Sequence, residues 1–178
     1  MRTSDYNALF RGLAMRHKLI QHTEAAPRFC RIVVSIDPYQ KIVDMSELMS
    51  KVIGRTIKPG PGQQVLVVES FHTQYREAGD NRTRLRSGAF MVLQQVTAGD
   101  HDAIEQVLDR TEQTGEELLA AILADPKYQV KNRFDPSSIT SDELGPLGNG
   151  TWYGTRFDFD FITPAAAALH HNPATFLP

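Results

Sequence analysis

The spacing of apolar side chains predicts a long helix at each of two places in the chain. In residues 4–22, apolar residues recur every three or four positions, and Ser4 stands where a helix cap is expected. The same spacing recurs in Asp102–Ala124, which opens with Asp102 and Glu105 at the positions of a capping box. Both segments therefore present one apolar face for packing against a sheet.

Short β-branched and apolar runs between and after these helices predict buried strands. A shorter helix is expected between Asp44, a possible cap, and Gly54. Residues 135–150 are rich in Pro, Ser and Gly and are expected to form a loop. The predicted strands are Phe29–Ile36, Val65–Val68 with a continuation towards Tyr75, Ala89–Val96 and Tyr128–Phe134.

The closing strand, residues 152–162, has the clearest pattern. Phe157, Phe159 and Phe161 alternate with Arg156, Asp158 and Asp160. Because a strand has a period of two, the rings point to one face and the charges to the other. We expect the rings to lie beneath the second helix, against Leu118, Leu119 and Ile122, and the charged face to meet water.

The order of elements predicts the fold class. Consecutive strands with short connections favour an antiparallel sheet, and the long helices would cover one of its faces. We therefore predict an α+β two-layer sandwich, mainly an antiparallel sheet with two long helices on one face. A single domain over residues 1–178 is expected, with an extended Ala- and Pro-rich tail from about residue 163 that lies on the surface or reaches a neighbour.

Composition narrows the functional classes. The 178 residues are 41% hydrophobic and 22% charged, as in ordinary globular proteins. The net charge of −2 argues against nucleic acid and anionic membranes as partners. Cys30, the one cysteine, lies in an apolar run and is expected to be buried and inert. No signal peptide or membrane-spanning run is recognisable, so a cytoplasmic location is expected.

Few residues form patterns that indicate chemistry. Asp158 and Asp160 could hold a divalent cation, although a solvated strand face is the favoured interpretation. His170 and His171 are adjacent, so on an extended segment they point in opposite directions and cannot chelate one metal well. His17 is expected to be a packed core or interface histidine. No nucleophile elbow, phosphate loop or dinucleotide fingerprint is present, which lowers the expectation of an enzyme.

Arg82, Arg84 and Arg86 are the one concentrated basic feature. They flank an expected hairpin turn at Gly79–Asn81, and on an extended chain they share a face. They could grip phosphate or an acidic partner. Because acidic residues lie close by in sequence, a solvated hairpin or a protein interface is favoured, and this hairpin is the first candidate for a partner surface.

Three stretches resemble the small tail and neck proteins of tailed bacteriophages and contractile injection systems, including the tail-terminator type. They are the helix Leu13–Thr23 leading into Phe29–Ile36, the capped helix Asp102–Ala124, and the segment Phe134–Ile139 followed by Gly154 and the closing strand. The resemblance implies an α+β ring subunit that meets its neighbours through the arginine hairpin and the tail. It also implies that no catalytic residue and no cofactor is needed.

The leading hypothesis is therefore a non-enzymatic phage- or prophage-like structural subunit. It would form a homo-oligomeric ring or a tail or neck assembly, in the cytoplasm or in an assembled particle, with itself and other assembly proteins as partners. The alternative is a small metal-dependent enzyme or ligand-binding module that uses Asp158 and Asp160, with a histidine folded back from the tail.

Overall fold

In the part of the chain that the structure describes, six strands and two long helices make up most of the regular structure. A computed structural model describes residues 1–33, 47, 57, 59–78, 81–97, 99–130, 132–148, 150–166, 169 and 172–175. The helices are α1 (Thr3–Arg16) and α2 (His101–Ala124), and short 3₁₀ turns occur at Pro126–Tyr128 and Pro173–Thr175. The strands are β1 (Phe29–Ile32), β2 (Gln64–Glu69), β3 (His72–Ala78), β4 (Asn81–Gln95), β5 (Arg133–Leu147) and β6 (Trp152–Pro164).

The strands form one sheet in the order β1-β2-β4-β6-β5. The pair β1 and β2 is parallel and every other pair is antiparallel. Strand β4 is long enough to pair with β2 along its second half and with β3 along its first half. The predicted α+β class with a mainly antiparallel sheet is confirmed.

Both helices pack on the same face of the sheet, which we call the helix face. Phe157, Phe159 and Phe161 are all buried there and share one core with Leu118, Leu119 and Ile122 of α2, as predicted. Different rings contact different elements: some pack against a helix, and others against the 3₁₀ turn after α2. Phe159 packs against Tyr6 and Phe10 of α1, whereas Phe161 packs against Tyr128. Burial of these rings is the main force that holds the two layers together.

The opposite face, which we call the outer face, is only partly polar. Next to the start of β6 it has its own apolar cluster, formed by Ile32, Ile57, Val65, Val67, Met91, Leu93 and Trp152. The charges of Arg156, Asp158 and Asp160 begin where this cluster ends. The expectation of a wholly wet outer face was therefore wrong for one half of the sheet, because β2 and the second half of β4 are apolar on both faces.

The helix ends differ from those predicted. Helix α1 ends at Arg16 and not at residue 22, because His17 is extended (φ −74°, ψ 130°) and the chain turns to bury Ile20. Its first residue is Thr3, and a capping arrangement with Asp5 replaces the predicted Ser4 cap. The cap of α2 is Asp100 and not Asp102, since its carboxylate accepts a hydrogen bond from the Ala103 amide.

Residues 133–147 form a long strand where a short strand and a loop were expected. Strand β5 is an edge strand that pairs with β6, and its register shifts between Asp135 and Thr140 and again between Leu144 and Leu147. Such irregularities let an edge strand accommodate Pro136 and Pro146. The Pro- and Gly-rich composition therefore marked an edge and not a loop.

Strand β6 extends into the segment predicted as a tail. It reaches Pro164, and the backbone N–H of Ala165 donates a hydrogen bond to the carbonyl of Arg82 at 2.8 Å. The predicted helix between Asp44 and Gly54, the turn residues 79–80 and the histidine pair 170–171 lie outside the described residues, apart from residue 47. In the part of the chain that the structure describes, neither helix is long and apolar enough to cross a membrane.

Candidate functional site

The arginine row, Arg82, Arg84 and Arg86, lies on the helix face of β4. Pairing of β4 with β6 is uninterrupted from Thr83 to Gln95, so residues of equal parity share a face. Phe90 has the same parity and belongs to the core beneath the helices. The arginines therefore share one face, as expected for an extended segment, and this face is the one that α1 and α2 cover further along.

Exposure increases along the row towards the hairpin turn. Arg86 is only 6% exposed and its guanidinium carbon lies 4.3 Å from the centroid of the Phe71 ring, a cation–π contact. Arg84 is half-buried and donates a hydrogen bond to the hydroxyl of Thr163 at 3.2 Å. Arg82 is exposed. The row thus leads from the edge of the core to the surface of the hairpin.

Positive charge at the base of the row is incompletely compensated. The Nε and Nη1 atoms of Arg86 are buried and make no hydrogen bond to any described residue. Burial lowers the pKa of Arg86, and the positive charge of Arg84 lowers it further. The carboxylate of Asp5 is close enough to oppose this shift, but it already accepts a hydrogen bond from the Arg2 amide at 2.7 Å. Unpaired buried donors of this kind favour an anionic partner.

The closing-strand carboxylates lie on the outer face, on the other side of the sheet from the arginine row. Asp158 is bound in a bidentate fashion by Arg156, with N–O distances of 2.8 Å for both hydrogen bonds. The same guanidinium also pairs with Glu69 of β2, which is 5% exposed. Burial lowers the pKa of Arg156, but the hydrogen bonds and charges of Asp158 and Glu69 together raise it above its usual value.

This arrangement makes Asp158 part of an ion-pair network. Asp160 faces Ser87 on one neighbouring strand and Asp135 on the other, and its backbone N–H donates to the Ser138 hydroxyl at 2.8 Å. Among the described residues, no three His, Cys, Asp or Glu side chains are grouped so that they could hold a metal ion. The divalent-cation site at Asp158 and Asp160 stays a prediction, and the Arg156 contact weighs against it.

His17 and Cys30 are the two other residues considered above, and both pack within the fold. His17 is the residue directly after α1, and its Nε2 atom lies 2.9 Å from a carboxylate oxygen of Glu117, so it joins the two helices. Cys30 is half-buried and not fully buried as expected. Burial raises the pKa of its thiol to about 12, which keeps it protonated at neutral pH, and its inertness stays a prediction.

Several polar residues in the structure had no clear signal in the sequence. The hydroxyls of Thr111 and Thr155 lie 3.0 Å apart beneath α2, although the two residues are far apart in sequence. Glu69 ends an apolar strand, and nothing local shows that it meets Arg156. By contrast, the acidic residues of α2 recur at alternating intervals of three and four, a spacing that could have been recognised as one surface stripe.

A shallow cleft of about 670 Å³ lies beside the start of α2. It is lined by the loop Pro59–Gln63, by the end of β4 and by Gln106, Val107 and Arg110 of the helix. The loop has two prolines without amide donors, which is unsuitable for cradling phosphate. This loop is therefore not a phosphate-binding loop.

No protein-family model matches the chain, and a search of curated protein sequences finds no match either. The function is therefore inferred from the residues and contacts described above.

Proposed function

We propose that this chain is a non-enzymatic structural subunit that assembles with copies of itself into a ring, of the kind found in phage tails and necks. The observation that supports it most directly is the form of the sheet. In the described part of the chain, β5 pairs only with β6, and β3 pairs only with β4. Among the described strands, β5 therefore ends the sheet on one side, and β1 and β3 end it on the other.

Open strand edges favour association with further chains. Unpaired N–H and C=O groups along an edge strand form a template for another strand, and monomeric proteins usually shield such edges. Here β5 is 15 residues long, with Pro136, Pro146 and two register shifts interrupting its edge, whereas β3 is 7 residues long and contains no proline. Since one edge differs from the other, a contact between them is heterologous, and heterologous contacts build closed rings when the rotation between copies closes.

The assembly state tests this proposal directly. Analytical ultracentrifugation and mass photometry of the purified chain over a wide concentration range should show one discrete oligomer, and negative-stain electron microscopy should show closed rings. A chain that stays monomeric at the highest concentration contradicts the proposal. A dimer that grows no further also contradicts it, because a ring requires at least three copies.

The alternative, a metal-dependent enzyme or ligand module at Asp158 and Asp160, has a separate test. A divalent cation that binds the folded chain raises its melting temperature by mass action. We expect millimolar Mg²⁺, Mn²⁺ or Ca²⁺ to leave the melting temperature unchanged, because Arg156 already engages Asp158. A rise that is lost in Asp160→Asn would favour the alternative.

A further inference from the structure

Two buried amide side chains lie at the cleft beside the start of α2. The cleft has a volume of about 670 Å³, and Gln94 of β4, which is only 5% exposed, forms part of its wall. Gln94 pairs across the sheet with Gln64 of β2, which is fully buried. Both lie on the helix face, in the same rows as the core residues Leu66 and Val92. Burying an amide costs free energy unless its hydrogen bonds are formed, so this pair requires an explanation.

The orientation of the Gln64 amide is fixed by two acceptors. Its Nε2 atom donates to Oε1 of Gln94 and to the backbone carbonyl of Arg110, at 3.4 Å in each case. Turning the amide over would place its own oxygen against these two oxygens, so its orientation follows from the contacts. The Oε1 atom of Gln64 is buried and has no hydrogen-bond partner among the described residues. Gln64 therefore positions Gln94 while one of its own acceptors stays unpaired.

Gln94 consequently has a hydrogen-bond donor for the cleft. Its Oε1 atom accepts from Gln64, whereas its Nε2 atom forms no hydrogen bond within the described ranges of the chain. This Nε2 atom does not belong to the buried unpaired atoms, and its side chain lines the cleft. The amide N–H₂ group is therefore available to a carbonyl or carboxylate oxygen that enters the cleft.

Arg110 adds a positive charge to the same wall. It is exposed, and it is the one arginine or lysine of α2. Its guanidinium forms no ion pair with any described residue, and none of the described residues that line the cleft is acidic. The nearest carboxylates of α2, at positions 102, 105 and 109, lie about 100° further around the helix and face water, which weakens their effect on the cleft.

We propose that this cleft binds a small organic carboxylate that also has an amide and an apolar group. The carboxylate pairs with the guanidinium of Arg110, the amide carbonyl accepts from Nε2 of Gln94, and the apolar group packs on Val107 and on the prolines of the loop. The volume is in the range of small-molecule sites. The loop is already held in shape, because Oε1 of Gln63 accepts a hydrogen bond from the Gly60 amide at 2.7 Å, so little ordering is needed on binding.

Two probes that differ by one charge test the site. Hippurate (N-benzoylglycine) has the carboxylate, the amide and an apolar ring, whereas hippuramide has a neutral carboxamide in place of the carboxylate. Saturation-transfer difference NMR gives the dissociation constant of each probe and is applicable to an assembly of any size. Hippurate should bind in the millimolar range, as expected for a small ligand, and hippuramide about tenfold more weakly.

Arg110→Gln removes the charge from the cleft. The substitution should weaken the binding of hippurate about tenfold and leave that of hippuramide unchanged. Arg76→Gln is the matched control, since Arg76 is exposed on the outer face and contacts Gln74, and it should change neither affinity. Gln94→Leu removes the amide donor and should weaken both probes. If circular dichroism shows that Gln94→Leu is not folded, Arg110→Gln carries the test, because its side chain has no partner in the described residues.

Three results overturn the proposal. One is a wild-type chain that does not bind hippurate at about 10 mM. The others are equal affinities of the wild type and Arg110→Gln for hippurate, or equal affinities of the wild type for the two probes, because either result places the probe away from Arg110. The site does not depend on the proposed ring: a chain that stays monomeric but binds hippurate as expected keeps the site, and an assembled chain that does not bind it keeps the ring.

Discussion

Replacing Gly115 with alanine should destabilise the protein, although the same change usually stabilises a helix. Gly115 lies within α2 directly above the Phe157 ring. A Cβ atom at this position would be 1.9 Å from a ring carbon of Phe157, far inside van der Waals contact. The ring cannot easily move aside, because it is 2% exposed and stacks on Phe90 with the ring centroids 5.2 Å apart.

Two opposing terms set the size of the effect. Alanine favours a helix over glycine by about 1 kcal/mol. Forcing an extra carbon into a packed core costs about 1–3 kcal/mol. Because the overlap is severe, the upper part of that range applies, and the free energy of unfolding should fall by about 1–2 kcal/mol. For a chain of this size, each kcal/mol lowers the melting temperature by about 2–4 °C.

Gly12→Ala provides the matched control. Gly12 lies within α1, and a Cβ atom there would meet nothing within 4 Å. The substitution should therefore stabilise the protein by about 0.5–1 kcal/mol, which is opposite in sign to the effect at Gly115. Urea denaturation followed by circular dichroism measures both, and an unchanged m-value shows that both variants unfold over the same surface.

A second substitution isolates the cause. Phe157→Leu removes the ring that the new methyl group would strike, so Gly115→Ala should cost less in that background than in the wild type. If Gly115→Ala instead stabilises the protein as much as Gly12→Ala does, the packing of α2 on the closing strand is not as described. Equal costs of Gly115→Ala in both backgrounds would likewise exclude Phe157 as the source.

Three further predictions concern buried polar groups. Arg156→Met removes the cation shared by Glu69 and Asp158 and should lower the free energy of unfolding by about 3–5 kcal/mol in urea denaturation. Adding Glu69→Gln should recover part of this loss, and a loss below about 1 kcal/mol would refute the ion pair. Thr111→Val and Thr155→Val should each lower the free energy of unfolding by about 1 kcal/mol. The double variant should lose less than the sum of the two, and additive losses would exclude the hydrogen bond between these residues. The Cys30 thiol has a pKa of about 12 in the folded chain and about 8.5 in the unfolded chain. Between these two pH values, the thiol ionises only in the unfolded chain. Stability from this thiol is therefore complete below a pH of about 8.5 and is lost as pH rises, and a thiol reagent at pH of about 8 should modify the native chain far more slowly than the unfolded one.

The parts of the fold that could be predicted are those where one residue pattern decides the structure. Alternation in residues 152–162 determined which side chains of β6 are buried, since a strand has only two faces. The apolar stripe of α2 likewise identified its buried side. In both cases the local pattern and the tertiary packing favour the same arrangement.

The failures occurred where tertiary contacts override local preference. The apolar spacing of α1 continues beyond Arg16, but the chain leaves the helix because Ile20 is buried against the core. Strand β5 is polar and contains two prolines, and only pairing with β6 makes it a strand. No spacing rule predicts the contact of Glu69 with Arg156, because the two residues are 87 positions apart in the sequence.

The register of β4, which is set by its core residues, also determines the face of the sheet on which the arginine row lies. Phe90 pairs with Phe157, and Gly88 pairs with Phe159, on the helix face. Since β4 pairs without a bulge down to Thr83, the same register that buries these rings places Arg86 and the rest of the row on that face. A slip of one residue would move the phenylalanines out of the core beneath the helices and every arginine to the outer face. The direction in which the hairpin presents its charge is therefore coupled to the packing of the core, because the register that buries Phe90 also sets the face on which the arginine row lies.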